Sequence, residues 1–305
     1  MNVLLEHGYI PEEQFSQRES TAEDAKMDGR LTMDISRQKR QPVGSVSADA
    51  AKCYDRINHI IMSFLLFAIT GWSGAIAALL APIQRMKFFQ RTGLGDSSTF
   101  MGGAGLLMLL QGLCQGNGMA PAGWTMIAAV LMHCYESEGY GAQITSPISK
   151  VLTKFMGTIF VDDTDLIYIN IKVEETITLA HQAMQDSIFD WGQLIIASGG
   201  AFKSPKCFYH LISFYWNTDG SWKYENNEDV EDFNISVPMP DVSQVHIEHA
   251  AVDTAKETLG VWTSPVGDSK AALEMMKNKA DEWIAREKEV TLSRQDVWFL
   301  LDRQL

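Results

Sequence analysis

Cysteine is scarce: Cys53, Cys114, Cys134 and Cys207 are the only four in 305 residues, they lie far apart, and no two form a CxxC pair. That spacing excludes a zinc ribbon and a disulfide framework and fits a reducing compartment. No secretory leader is visible, because Met1 is followed by NVLLEHGYIPEEQ, without a basic start or a small-residue cleavage site. No internal repeat of solenoid period occurs. Positive charge is also in short supply. Lys and Arg total 25 against 38 Asp and Glu, a net charge of −13, which argues against a surface that grips a phosphate backbone. The excess acid is concentrated in residues 225–232 (ENNEDVED) and at Glu12, Glu13, Glu19, Glu23 and Asp24, so the middle of the chain is close to neutral. An intracellular protein of cytoplasm or nucleus is expected.

What is present reads as globular. Apolar residues at 46% and charged residues at 21% suffice for one large domain or two modest ones. Residues 60–83 carry no charge and are about long enough to span a bilayer. Gly71, Gly74 and Pro82 interrupt that run, and Trp72 and Ser73 mark a turn, so two short buried helices are expected instead. Residues 1–41 are polar and helical in pattern, with Ser20 and Glu23 spaced as a capping box. Residues 43–48 (VGSVSA) form a β-prone run ending at an acid, and residues 52–86 are helical in pattern. Glycines from 93 to 123 make that stretch too irregular for one helix, whereas 124–135 has the pattern of a buried helix. Residues 154–170 (KFMGTIFVDDTDLIYIN) predict a hairpin with an acidic turn at 162–165. Residues 173–198 have apolar positions at helical spacing, stopped by Gly199 and Gly200. Strand is expected over 207–216, a turn at NTDG (217–220), strand at 221–224 and 257–262, and helix over 270–286. Strands and helices mix without βαβ alternation, which predicts an α+β fold.

The sharpest chemical feature is Asp162–Asp163 at the tip of the expected hairpin. Adjacent carboxylates raise each other's pKa, and a divalent cation reverses that penalty. Magnesium favours carboxylate oxygens and leaves positions open for substrate phosphates. Asp49, ending another short strand, would complete a site for two ions suited to in-line phosphoryl displacement. Most isolated Asp–Asp pairs are solvated turn residues, so the company these acids keep matters. His246, Glu248 and His249 form an HxEH cluster with no further ligand set and are read as surface residues. The sequon at Asn234 carries no weight without a secretory signal.

That company resembles a non-LTR retroelement reverse transcriptase, in order and over most of the chain. Residues 13–18 (EQFSQR), then Ser20-Thr21 and Asp24-Ala25, resemble the family's fingers segment "EQxGFR…ST…DA". Residues 49–57 (DAAKCYDRI) resemble the first palm motif, and 115–121 (QGNGMAP) resemble "QGxxxSP". Residues 160–163 (FVDD) resemble the "F/Y-x-D-D" hairpin, 199–206 (GGAFKSPK) resemble "GLxLNxxK", and 259–261 (LGV) resemble the strand leading to the primer grip. Any one of these is weak, but six in order are specific.

The resemblance implies an RNA-directed DNA polymerase on a right-hand palm, an antiparallel sheet with helices on one face. Its expected divisions are a fingers remnant (1–42), a palm with a helical insertion (43–216), an acidic loop region (217–250), and a primer-grip strand with the start of a thumb (251–305). Asp49, Asp162 and Asp163 would be catalytic and bind Mg2+ or Mn2+, and Lys206 would stand by the leaving pyrophosphate. Ala50, Tyr54, Gln115 and Gly116 would bind nucleotide, with the Tyr54 ring as a steric gate against ribose. Implied partners are a dNTP and an RNA or DNA template with its primer, and no membrane. The family's usual serine is Ala120 here, the basic fingers strands are not seen, and the thumb stops mid-helix, so truncation at both ends is expected. The alternatives are an inactive remnant that only binds nucleic acid and, ranked last, a membrane protein built around residues 60–83.

Overall fold

The computed structural model describes residues 6–15, 20–103, 105, 110–114, 116–146, 148–169, 177–225, 233–258, 261–287, 293–296 and 298. The chain divides into two compact units, residues 1–251 and 252–305.

In the first unit, helix α1 (Ala22–Lys39) is launched by Thr21. Its hydroxyl accepts from the Asp24 N–H while the Asp24 carboxylate accepts from the Thr21 N–H at 2.9 Å. The capping box therefore sits one residue later than the Ser20/Glu23 pair the sequence pointed to. Strand β1 (Val43–Asp49) follows, then a short turn of helix α2 (Cys53–Arg56). Helices α3 (His59–Thr70) and α4 (Ser73–Gln84) meet at Gly71, whose φ of 63° closes α3. The turn falls where the glycines placed it, but the expectation of a buried pair is corrected. Ile60, Phe64, Phe67 and Trp72 are each more than half exposed, and only His59, Met62 and Leu66 of α3 are buried. At 12 residues each helix is about 18 Å long, and among the described residues no helix is long and apolar enough to cross a membrane.

Two strands that the sequence pattern did not reveal come next, β2 (Lys87–Thr92) and β3 (Gly95–Gly102), paired as an exposed antiparallel hairpin. Helix α5 (Ala120–Ser137) then starts with Pro121 in its first turn, where a missing N–H costs nothing. Strands β4 (Ala142–Thr145) and β5 (Leu152–Phe155) pair with each other. The expected hairpin over 154–170 is accordingly shorter: it consists of β6 (Gly157–Phe160) and β7 (Asp163–Tyr168). Helix α6 (Ile177–Ala197) buries Ala180, Met184, Ile188, Trp191 and Ile195, a 3–4 spacing that lays one stripe on the sheet. Each large buried side chain of that stripe contributes roughly 1.5–3 kcal/mol.

The remaining strands are β8 (Phe208–Ile212), β9 (Phe214–Trp216), β10 (Trp222–Tyr224), β11 (Ser236–Pro238), β12 (Gln244–His246) and β13 (Glu248–His249). The central sheet has the order β13-β8-β1-β7-β6. It is antiparallel except at one edge, where β13 runs parallel to β8, so it is a mixed sheet rather than the purely antiparallel one expected. Its alternation sorts the β1 side chains. Gly44, Val46 and Ala48 share one face, and Ser45, Ser47 and Asp49 the other. On the first face α6 lies so close that a Cβ on Gly44 would meet Met184 Sδ at 2.4 Å. On the second, Gly29 of α1 approaches Ile167, and Lys26 pairs with Asp165 at 2.8 Å. Helices thus pack on both faces, not on one, because α1 finds apolar and ionic partners beside the acids.

The second unit contains the hairpin of β14 (Lys256–Thr258) and β15 (Val261–Thr263), followed by helix α7 (Lys270–Glu287).

Candidate carboxylate site

Sheet pairing assembles the acids. In the β1–β7 pair Asp49 stands directly opposite Asp163, so their side chains emerge on the same face. On the other side of the hairpin Asp163 pairs with Phe160, leaving Val161 and Asp162 as the whole loop. The acidic turn is therefore 161–162 rather than 162–165. Val161 holds a φ of 58°, a left-handed value that costs a β-branched residue on the order of 1–3 kcal/mol.

Main-chain bonds fix the surroundings. The Ala50 N–H donates to the Asp162 carbonyl at 3.1 Å, and the Lys203 N–H donates to the Asp49 carbonyl at 2.9 Å. Ala50 is itself buried, with its amide committed inside the protein. The segment after α6 folds back because Gly199 and Gly200 return their N–H groups to Ile196 and Ile195 at the helix end. A Cβ on Gly199 would lie 2.6 Å from the Arg56 carbonyl, so this turn admits no larger residue. The result is a 3-10 turn (Ser204–Lys206) that carries the Lys206 ammonium to 2.8 Å from Asp49 Oδ2.

The electrostatics follow from this crowding. Burial, then the neighbouring charges of Asp162, Asp49 and Asp165, push the Asp163 carboxyl up to about 6, with Lys206 opposing. Hydrogen bonding to Asp49 holds Lys206 above its ordinary value. Burial, reinforced by Asp162, pushes the Cys53 thiol up to about 12, so it stays protonated at neutral pH.

Asp49, Asp162, Asp163, Lys206 and Ala50 are thus brought together at one end of the sheet. Tyr54 lies beside them on a cleft of about 230 Å³, lined also by Phe15, Pro121, Trp124, Phe160 and Val161. Gly116 sits in the loop before α5 with a φ of 91°, and a Cβ there would meet open space. Its conformation, not a close approach within the chain, calls for glycine. Gln115 lies outside the described residues, as do Leu259 and Gly260 of the LGV segment. His246 bonds Ser236 and His249 stacks on Tyr209 at 4.6 Å, so both imidazoles have structural partners.

Sequence reasoning missed Trp124. Its indole Nε1–H donates to the Val161 carbonyl at the hairpin tip. The available signal was a tryptophan just past the first turn of a helix that begins Ala-Pro.

The donor chemistry suits a hard divalent cation, since all three acids offer oxygen and their mutual repulsion is relieved by positive charge. Among the described residues no three His, Cys, Asp or Glu side chains are gathered as a ready metal cage. Lys206 is the cation in contact with Asp49. No family model matches the chain, and no curated protein matches it.

Proposed function

We propose that this chain is the palm-centred part of an RNA-directed DNA polymerase, joining a deoxynucleotide to a primer 3′-hydroxyl on an RNA or DNA template. The observation that carries the proposal is the pairing of Asp49 opposite Asp163 beside the Asp162 turn. The ordered motifs of the sequence supply the choice of polymerase over other phosphoryl-transfer enzymes, and that step is family analogy.

Asp49, Asp162 and Asp163 would hold magnesium or manganese, which when bound lowers the pKa of the attacking hydroxyl and offsets charge on the leaving pyrophosphate. The chain's own residues do the rest. Asp49 and Asp162 are fixed through the Lys203 and Ala50 amides. Lys206, with 59% of its side chain exposed, can turn its ammonium from Asp49 toward a phosphate. Tyr54 narrows the cleft where a ribose 2′-hydroxyl would lie, which selects deoxynucleotides.

Primer extension on poly(rA)/oligo(dT) with Mg2+ or Mn2+ tests this. Asp162→Ala and Asp49→Asn should each lower the rate on the order of a hundredfold or more. Extension that survives Asp162→Ala removes the mechanism. A chain that binds template–primer but never extends it is the nucleic-acid-binding module instead.

A further inference from the structure

The two-residue loop of the β6–β7 hairpin places its strain and its chemistry side by side. Val161 has the positive φ that glycine usually supplies at the first position of so tight a turn, and Asp162 follows it. A peptide unit is planar, so whatever holds the Val161 carbonyl also holds the Asp162 nitrogen and Cα. Trp124 holds that carbonyl through its indole N–H. The next peptide plane is held by Ala50, whose N–H donates to the Asp162 carbonyl at 3.1 Å. Both planes flanking the Asp162 Cα are therefore pinned, one to α5 and one to the end of β1. With φ and ψ of Asp162 set in this way, its carboxylate has only its own rotamers left. The same indole is a wall of the cleft that Tyr54 lines.

Resting on the carboxylate-site reading above, we propose that Trp124 is a positioning residue. Its indole N–H clamps the Val161 carbonyl and so fixes the direction in which Asp162 presents its carboxylate to a divalent cation. Without the clamp, the Val161–Asp162 peptide loses a bond that holds it against the strain at Val161, and the direction of Asp162 is less firmly set.

Trp124→Phe keeps a ring in the cleft and removes the donor, together with part of the buried indole's volume. Free Mn2+ measured by electron paramagnetic resonance should show its dissociation constant rising about tenfold in this variant, the scale of one lost hydrogen bond. Amide exchange at Ala50 should quicken by a similar factor in the metal-free protein. In primer extension kcat should fall while the KM for template–primer stays constant, a split that a general packing defect does not give. Wild-type Mn2+ affinity and wild-type Ala50 exchange in Trp124→Phe, with binding lost in Asp163→Asn, overturn the clamp and leave the carboxylate site standing. Undiminished Mn2+ affinity in Asp163→Asn instead overturns the carboxylate reading, and the clamp's role with it. Should Trp124→Phe fail to fold, the wild-type protein decides: its Trp124 indole 15N–H resonance should shift in step with added Mg2+, and an unmoved resonance overturns the clamp.

Discussion

The ammonium of Lys206 lies 2.8 Å from Asp49 Oδ2, reaching from an exposed stem to a carboxylate that is only 9% exposed. The pair offsets part of the repulsion that Asp49 and Asp163 exert on each other across β1 and β7. Replacing Lys206 by Met should therefore lower stability in chelator by about 0.5–1 kcal/mol, a figure discounted for solvent screening of the lysine. Added Mg2+ should raise the urea midpoint more in this variant than in the parent. Equal responses to Mg2+ would separate Lys206 from the proposed cation site.

Asp163→Asn should act on stability and function with opposite signs. Removing the charge that burial and three neighbouring acids make costly should stabilise the metal-free protein by roughly 1–2 kcal/mol at pH 8. The same variant should lose divalent-cation binding. Thermal unfolding in chelator and Mn2+ titration check the two halves, and a destabilised variant would contradict the proposed crowding.

Two glycines on positive φ should behave differently when changed to Ala. A Cβ on Gly157 would lie 2.0 Å from the Asp165 carbonyl in the partner strand, so Gly157→Ala should abolish cooperative folding. Gly116 faces open space, so Gly116→Ala should cost only ~1–2 kcal/mol of backbone strain. Circular dichroism melts of both variants are decisive, and similar melting points would mean that φ alone matters.

His249 sets a pH dependence away from the acids. Burial, aided by nearby His181, lowers its pKa below the ordinary 6.5. The fold therefore favours the neutral ring, and this contribution is complete above pH 6.5 and lost as pH falls toward the folded value. In an Asp163→Asn background, which removes the opposing gain from Asp163 protonation near pH 6, the unfolding midpoint should drop between pH 7.5 and 5.5. His249→Phe, which preserves a ring against Tyr209, should make that drop smaller.

Patterns with a local cause were legible in the sequence. The apolar stripe of α6, the glycine turn between α3 and α4 and the β-prone run ending at Asp49 all emerge where spacing placed them. The capping box slipped by one residue because Ser20 and Thr21 are both competent caps, and Asp24 chose Thr21. The β2–β3 hairpin was hidden because both strands are exposed and show no alternation to read. Lys154 and Phe155 were assigned to the wrong hairpin, since a strand's composition does not name its partner.

The sequence by itself determined which residues could bear metal chemistry, because adjacent acids at a turn and an acid closing a strand are properties of order along the chain. Only the tertiary structure decided that Asp49 faces Asp163, that Lys206 reaches Asp49 and that Trp124 ties down Val161. Those three relationships join residues 114, 157 and 37 positions apart, and β-register and helix packing, which act through space, bring them together.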